Sequence, residues 1–213
     1  STAANGYVAD SVIAVNTDTL TASEAEAERL RNALVDKIQA DGHARTPAVE
    51  TALRAVPRHR FVPQAPLADA YANATVNIKY DTDRVPVSCA SQPDIVALML
   101  DQLQAQPGER VLELGAGTGY NAALIGHLVG PDGRVTTIDV DDDLVEGART
   151  RLAATGFTNV EVLTGDGALG HAEGAPYDRI IATVGAHGSL RCRRCGVGVR
   201  PAGAVAAARG SLT

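Results

Sequence analysis

The chain has 213 residues and a formal net charge of −6, with 45 % hydrophobic and 21 % charged side chains. That is the balance of a globular protein with a full core, and its acidity argues against general nucleic-acid binding. No apolar run approaches the roughly 18 to 20 residues of a membrane span, and no basic segment followed by an apolar one opens the chain. Aromatic residues are only 3 %, so the core must be built mostly from Val, Leu, Ile and Ala. Three cysteines, an odd number, make no disulfide framework. The expectation is a cytoplasmic monomer without a nucleic-acid or membrane partner.

Residues 1–20 are small and polar and are expected to be a flexible leader. Residues 21–90 are expected to form an N-terminal helical and substrate-facing segment. Thr21 to Ala40 has helical periodicity, with Leu30, Ala33, Leu34 and Ile38 on one face. Thr46 then caps a second helix that begins at Pro47, buries Val49, Ala52, Leu53 and Val56, and stops at Pro57. The run P-R-H-R-F-V-P, Pro57 to Pro63, predicts an extended connection. His59 within it reads as a surface or packing residue whose flanking arginines ease loss of its proton. A short strand is expected at Thr75 to Tyr80, followed by the turn D-T-D-R.

Residues 91–188 carry the pattern of a Rossmann-like core. Ser91 is expected to cap a helix whose buried stripe is Ile95, Leu98, Met99 and Leu103. Strands follow at Arg110, at Arg134 to Asp139, at Val160 to Thr164 and at Tyr177 to Val184, with helices after the first two. This alternation predicts an α/β fold with a doubly wound, mainly parallel sheet. Residues 189–213 are atypical: they are rich in Arg, Gly, Ala and Val without a period, as a GC-rich gene yields in a shifted frame. The expectation there is a truncated or altered tail. Its Cys192 and Cys195 form one C-x-x-C without a second ligand pair, so no metal is expected.

The segment R-V-L-E-L-G-A-G-T-G-Y, Arg110 to Tyr120, joins a strand to a helix through a glycine turn. Glycines bring the backbone close to a nucleotide-like ligand. A dinucleotide fingerprint would place its third glycine at position 120, where the chain has Tyr120. The form E-L-G-A-G-T-G, with Glu113 before the turn, is that of S-adenosyl-L-methionine methyltransferases. Asp139 lies at the end of the second strand, about twenty residues on, where an acid accepts the ribose hydroxyls. Asp166 ends the third strand, where the adenine amino group is met. Either acid has a plainer use: Asp139 opens an acidic run that can cap a helix, and Asp166 can be a turn residue. The expected cofactor contacts are Glu113, Gly115, Gly117, Thr118, Gly119, Tyr120, Asp139, Val140, Asp166 and Gly167.

From about Leu30 to Val184 the sequence resembles the protein-L-isoaspartate O-methyltransferase family. The resemblance rests on P-R-H-R-F-V-P, on S-Q-P-D-I-V-A-L-M from Ser91, on V-L-E-L-G-A-G-T-G-Y-N-A-A and on Y-D-R-I-I-A-T. It implies a class I methyltransferase with an N-terminal helical extension and S-adenosyl-L-methionine as cofactor. The acceptor it implies is a peptide or protein carrying Asp or isoaspartate. It also implies that Ser91, the catalytic candidate, lies beside the methyl-accepting carboxylate. The family's P-I-G-x-G-Q-T-I before that serine is replaced by Y-D-T-D-R-V-P-V-S-C-A, with Ser88 and Cys89 near the place of its substrate contacts. In this the pattern looks closer to an actinobacterial branch that methylates aspartyl residues of ribosomally made peptides. The rival expectations are a small-molecule or RNA methyltransferase, a non-catalytic cofactor-binding adaptor and a nicotinamide oxidoreductase; Tyr120 and Glu113 disfavour the last.

Overall fold

The computed structural model describes residues 17–184 and the short strands at 190–191, 198–199 and 205–207. In chain order the elements are α1 (Thr17–Ala40), α2 (Pro47–Ala55), α3 (Leu67–Ala70), β1 (Val76–Tyr80), β2 (Pro86–Ala90), α4 (Pro93–Leu103), β3 (Arg110–Leu114), α5 (Tyr120–Val129), β4 (Arg134–Asp139), α6 (Asp142–Ala154), β5 (Val160–Thr164), β6 (Arg179–Ala182), β7 (Leu190–Arg191), β8 (Gly198–Val199) and β9 (Val205–Ala207). The main sheet has the order β5-β4-β3-β6-β9. Its first four strands are parallel, and β9 runs antiparallel to β6 with Ile181 opposite Val205. This is the expected α/β, Rossmann-like arrangement with helices preceding it.

Strand side chains alternate between faces, and that alternation builds two cores. Val111, Val135, Val162 and Ile181 join the buried residues of α1, α2, α4, α5 and α6 in the larger one. Leu112, Leu114, Ile138, Ile180 and Ala182 form the smaller one on the opposite face, with Tyr177 and no helical residue among those described. Ile181 and Val111 are fully buried, and each such side chain contributes about 1.5–3 kcal/mol. The helical extension is tied to the core by Asp101 of α4, whose carboxylate accepts from the Arg45 and Thr46 amides (2.7 and 3.1 Å) and from the Thr46 hydroxyl (2.9 Å).

Several expectations are corrected. α1 begins at Thr17, inside the expected leader; residues 1–16 lie outside the described ones. The Pro57–Pro63 connection is not extended throughout. Arg58–Arg60 makes a 3-10 turn, closed by the Phe61 amide on the Arg58 carbonyl at 2.9 Å, because Phe61 and the Arg58 side chain both turn inward. Ser91 does not cap α4. Pro93 takes the first helical position, which moves the cap to Gln92; the Gln92 side chain makes no capping bond, and the Asp94 amide donates instead to Asn73 Oδ1 at 3.1 Å. Ile95 is 46 % exposed, and the buried face is Val96, Ala97, Met99, Leu100 and Leu103. The nearly continuous apolar run I-V-A-L-M-L leaves helical phase ambiguous in sequence.

β2 was not expected either. It pairs antiparallel with β1, Val76 opposite Ala90, with irregular register between Asn77 and Tyr80. Most of it is exposed, so it lacks a hydrophobic alternation. Three short strands occur in the tail, where none was expected. Cys192 and Cys195 lie outside the described residues. Among the described residues no helix is long and apolar enough to cross a membrane.

Candidate active site

β3 delivers the chain to a loop that only glycine forms cheaply. Gly115, Gly117 and Gly119 have φ of +100°, +50° and +86°, a region costly for other residues. The Gly115 amide donates to the Ile138 carbonyl at 2.8 Å, and Thr183 Oγ1 donates to the Gly115 carbonyl at 2.8 Å. A β-carbon on Gly115 would lie 2.9 Å from Thr183 Oγ1 and collide with Val184. One on Gly117 would meet nothing within 4 Å. Gly117 therefore faces open space with its backbone bare.

That space is a cavity of about 340 Å³ between the loop and the end of β2. One wall is Gly115 to Thr118, Tyr120 and Asp139; the other is Val87 to Ser91 with Val96 and Met99. Asp139 closes the loop side. Its Oδ2 accepts the Gly117 amide at 3.0 Å and its Oδ1 the Asp141 amide at 3.3 Å. An ionised carboxylate has about four acceptor sites, so capacity remains for the two hydroxyls of a ribose. These features fit S-adenosyl-L-methionine: a bare backbone turn, a carboxylate with free lone pairs and an apolar flank.

The structure brings together Ser88, Cys89, Ser91, Gly115, Gly117, Thr118, Tyr120 and Asp139 around this cavity. It does not bring Glu113, Gly119, Val140, Asp166 or Gly167 into its wall. Gly119 caps α5 and packs against Ala148 and Leu152. Val140 is 72 % exposed. The Asp166 carboxylate accepts from the Ala168 amide at 2.9 Å and starts a 3-10 turn, with Gly167 packed on Leu114.

Glu113 lies behind the wall, fully buried. Its carboxylate accepts from Asn121 Nδ2 at 2.6 Å and from Thr137 Oγ1 at 2.7 Å. Burial pushes its pKa up to about 7, against the two donors, with the Asp139 charge adding to the rise. Its link to the cavity is Asn121, which does line it. Burial likewise pushes the Tyr120 hydroxyl up to about 12.

Asn121, Arg58, Met99 and Thr183 line the cavity and were missed in the sequence. Asn121 had a signal, since it follows Tyr120 in the first turn of the helix that the glycine loop opens. His59 behaves as a packing residue: Nδ1 lies 2.8 Å from the Tyr71 hydroxyl. Its pKa is lowered mainly by burial, with Arg60 and Arg31 adding to the effect, so the neighbouring arginines are the lesser cause.

A parallel sheet, a glycine turn at the carboxyl end of its central strand and an acid at the end of the next define a Rossmann-like methyltransferase. Residues 28–189 match the family described as protein-L-isoaspartate(D-aspartate) O-methyltransferase. The protein-L-isoaspartate O-methyltransferase of Methanopyrus kandleri is 42 % identical over 74 % of this chain and 68 % of its own length. That of Ignicoccus hospitalis is 38 % identical over 75 % of this chain and 72 % of its own. A solved protein-L-isoaspartate O-methyltransferase superposes with a TM-score of 0.66 at 33 % identity, covering 73 % of this chain and 48 % of that one. The chain thus spans about half the length of that solved relative. It belongs to the protein-L-isoaspartate O-methyltransferase family, a family of S-adenosyl-L-methionine-dependent carboxyl methyltransferases.

Proposed function

We propose that this chain methylates the free carboxylate of isoaspartyl residues in peptides or proteins, using S-adenosyl-L-methionine. The observation that carries the reading is the shared cavity: the glycine loop with Asp139 forms one wall and the Ser88–Ser91 strand end forms the other. Gly117, Thr118 and Asp139 would hold the cofactor. Bound there, it would supply an electrophilic sulfonium methyl for the acceptor oxygen, with sulfur as the leaving group.

The chain's own residues have a modest task. A substrate carboxylate with a pKa of about 4 is ionised at neutral pH, so no general base is required. The site must hold the carboxylate in line and exclude water. The Ser91 hydroxyl, on the cavity lining and free of the helix-capping role, would donate a hydrogen bond that orients the carboxylate, and Met99 and Val96 would supply the dry flank. The methyl ester then activates its carbonyl toward the next backbone amide, which closes a succinimide with loss of methanol.

A second reading has one observation in its favour. The strand Pro86–Ala90 carries Val87, Ser88 and Cys89 where the family pattern has glycines and threonine. That substitution fits methylation of aspartyl side chains in a ribosomally made peptide. The relatives named above are archaeal isoaspartyl methyltransferases and lend this branch no support.

The test is incubation with methyl-labelled cofactor and a matched pair of peptides, one isoaspartyl and one aspartyl. Base-released labelled methanol from the isoaspartyl peptide alone is expected. Label on the aspartyl peptide alone would favour peptide tailoring. No base-labile label from either, with the cofactor bound, would refute carboxyl methylation of these acceptors.

A further inference from the structure

The cavity joins two walls from distant parts of the chain, and one side chain touches both. Arg58 is 1 % exposed. Its Nη2 donates to the Ser91 carbonyl at 2.9 Å and reaches the Ala90 carbonyl at 3.5 Å. Its guanidinium carbon lies 4.9 Å from the centre of the Tyr120 ring, which opens α5 directly after the glycine loop. Phe61 closes on the same tyrosine, ring centres 5.7 Å apart and tilted by 56°. Nε and Nη1 of Arg58 are buried without a hydrogen-bond partner among the described residues.

A buried guanidinium is costly unless it is compensated. Here the compensation is two carbonyls of the acceptor wall and the electron-rich face of one ring of the cofactor wall. A residue needed only for stability at this place would be apolar, because a hydrophobic side chain of similar volume avoids that cost. Lysine cannot match the arrangement, since only a planar fork stacks and donates together.

We propose that Arg58 is the positioning residue of the reaction: it sets the Ala90–Ser91 backbone relative to the glycine loop, and so places the Ser91 hydroxyl beside the transferring methyl. The proposal rests on the methyltransferase reading for its catalytic consequence, but its geometric content stands without it. Arg58 lines the same cavity, and its positioning role runs through the Ala90–Ser91 backbone and the Tyr120 ring.

The experiment compares the parent chain with Arg58→Met and Arg58→Lys. Two properties are read in each: amide hydrogen exchange in the presence of S-adenosylhomocysteine, and steady-state kinetics on the isoaspartyl peptide. Met keeps the length and packing of the stem, and Lys keeps the charge. In Arg58→Met, exchange at Ala90 to Gln92 should accelerate by about tenfold, the worth of one hydrogen bond to a charged donor. Exchange across 110–129 and S-adenosylhomocysteine affinity should stay within about twofold of the parent. On the isoaspartyl peptide kcat should fall by about tenfold or more with little change in the cofactor KM, and Arg58→Lys should recover only part of it.

Unchanged exchange at 90–92 in a folded Arg58→Met chain would overturn the proposal. So would full recovery by lysine, or a loss of cofactor affinity parallel to the loss of turnover. If Arg58→Met does not fold, Arg58→Lys carries the same readouts. A parent chain inactive on the peptide would refute the acceptor assignment, while the exchange comparison would still decide the role of Arg58.

Discussion

Glu113 offers the sharpest test of how this site is built. It is fully buried, and its pKa rises from 4.5 to about 7 because burial disfavours the anion more than Asn121 and Thr137 stabilise it. An acid with a raised folded-state pKa binds its proton more tightly folded than unfolded. Its stabilising contribution is complete below about pH 4.5 and is lost as pH rises to about 7. That displacement corresponds to about 3 kcal/mol, at about 1.4 kcal/mol per pH unit. Glu113→Gln removes the titration and keeps the shape. Its amide oxygen accepts from Asn121 or Thr137, and the Thr137 hydroxyl can turn to accept from the new amide. The assay is urea unfolding of both chains at intervals from pH 4.5 to 8, plotted as the difference in unfolding free energy. The parent should lose about 3 kcal/mol relative to Glu113→Gln across that window, and the difference should be flat above it. Parallel profiles would refute the reasoning, and so would a parent that gains on the variant as pH rises.

Asp139→Ala removes the acceptor for the Gly117 amide and the charged partner expected for the ribose. S-Adenosylhomocysteine affinity by calorimetry should fall by about tenfold or more, as for loss of a hydrogen bond to a charged group; unchanged affinity would remove Asp139 from the site. Ser91→Ala should slow methyl transfer by about tenfold with cofactor affinity nearly intact, and normal turnover would leave the serine without a role. Gly115→Ala combines φ of +100° with a β-carbon 2.9 Å from Thr183 Oγ1. It should lose about 2 kcal/mol or more in urea unfolding, and a stability loss below about 0.5 kcal/mol would mean that the loop relaxes freely.

The features legible in the sequence are those whose cause is local. The three alternate glycines of the loop require positive φ, and the structure gives each of them that conformation. Thr46 and Pro47 open α2 as their chemistry demands, with the threonine hydroxyl accepting from the Val49 amide at 3.4 Å. Asp139 ends β4 beside the loop because two adjacent parallel strands finish together there. The start of α4 has a local cause as well. A residue before proline is pushed out of the helical region, and Gln92 has ψ of 131°, so α4 had no way to begin before Pro93.

Arg58 is a different kind of miss. In the sequence it is one of two arginines around a histidine, and the ordinary fate of an arginine is the surface. Its burial depends on the carbonyls of Ala90 and Ser91, more than thirty residues away, and on the ring of Tyr120, about sixty residues away. No periodicity or spacing encodes a compensation gathered from three separate segments. Glu113 shows the same limit at shorter range. An acid in an apolar strand suggests a ligand contact, yet its partners are Asn121 on α5 and Thr137 on the neighbouring strand. Both charged groups act through a neighbour, Glu113 through Asn121 and Arg58 through the Ser91 backbone. What local sequence cannot display in this site is therefore the set of contacts between distant segments that fixes its geometry.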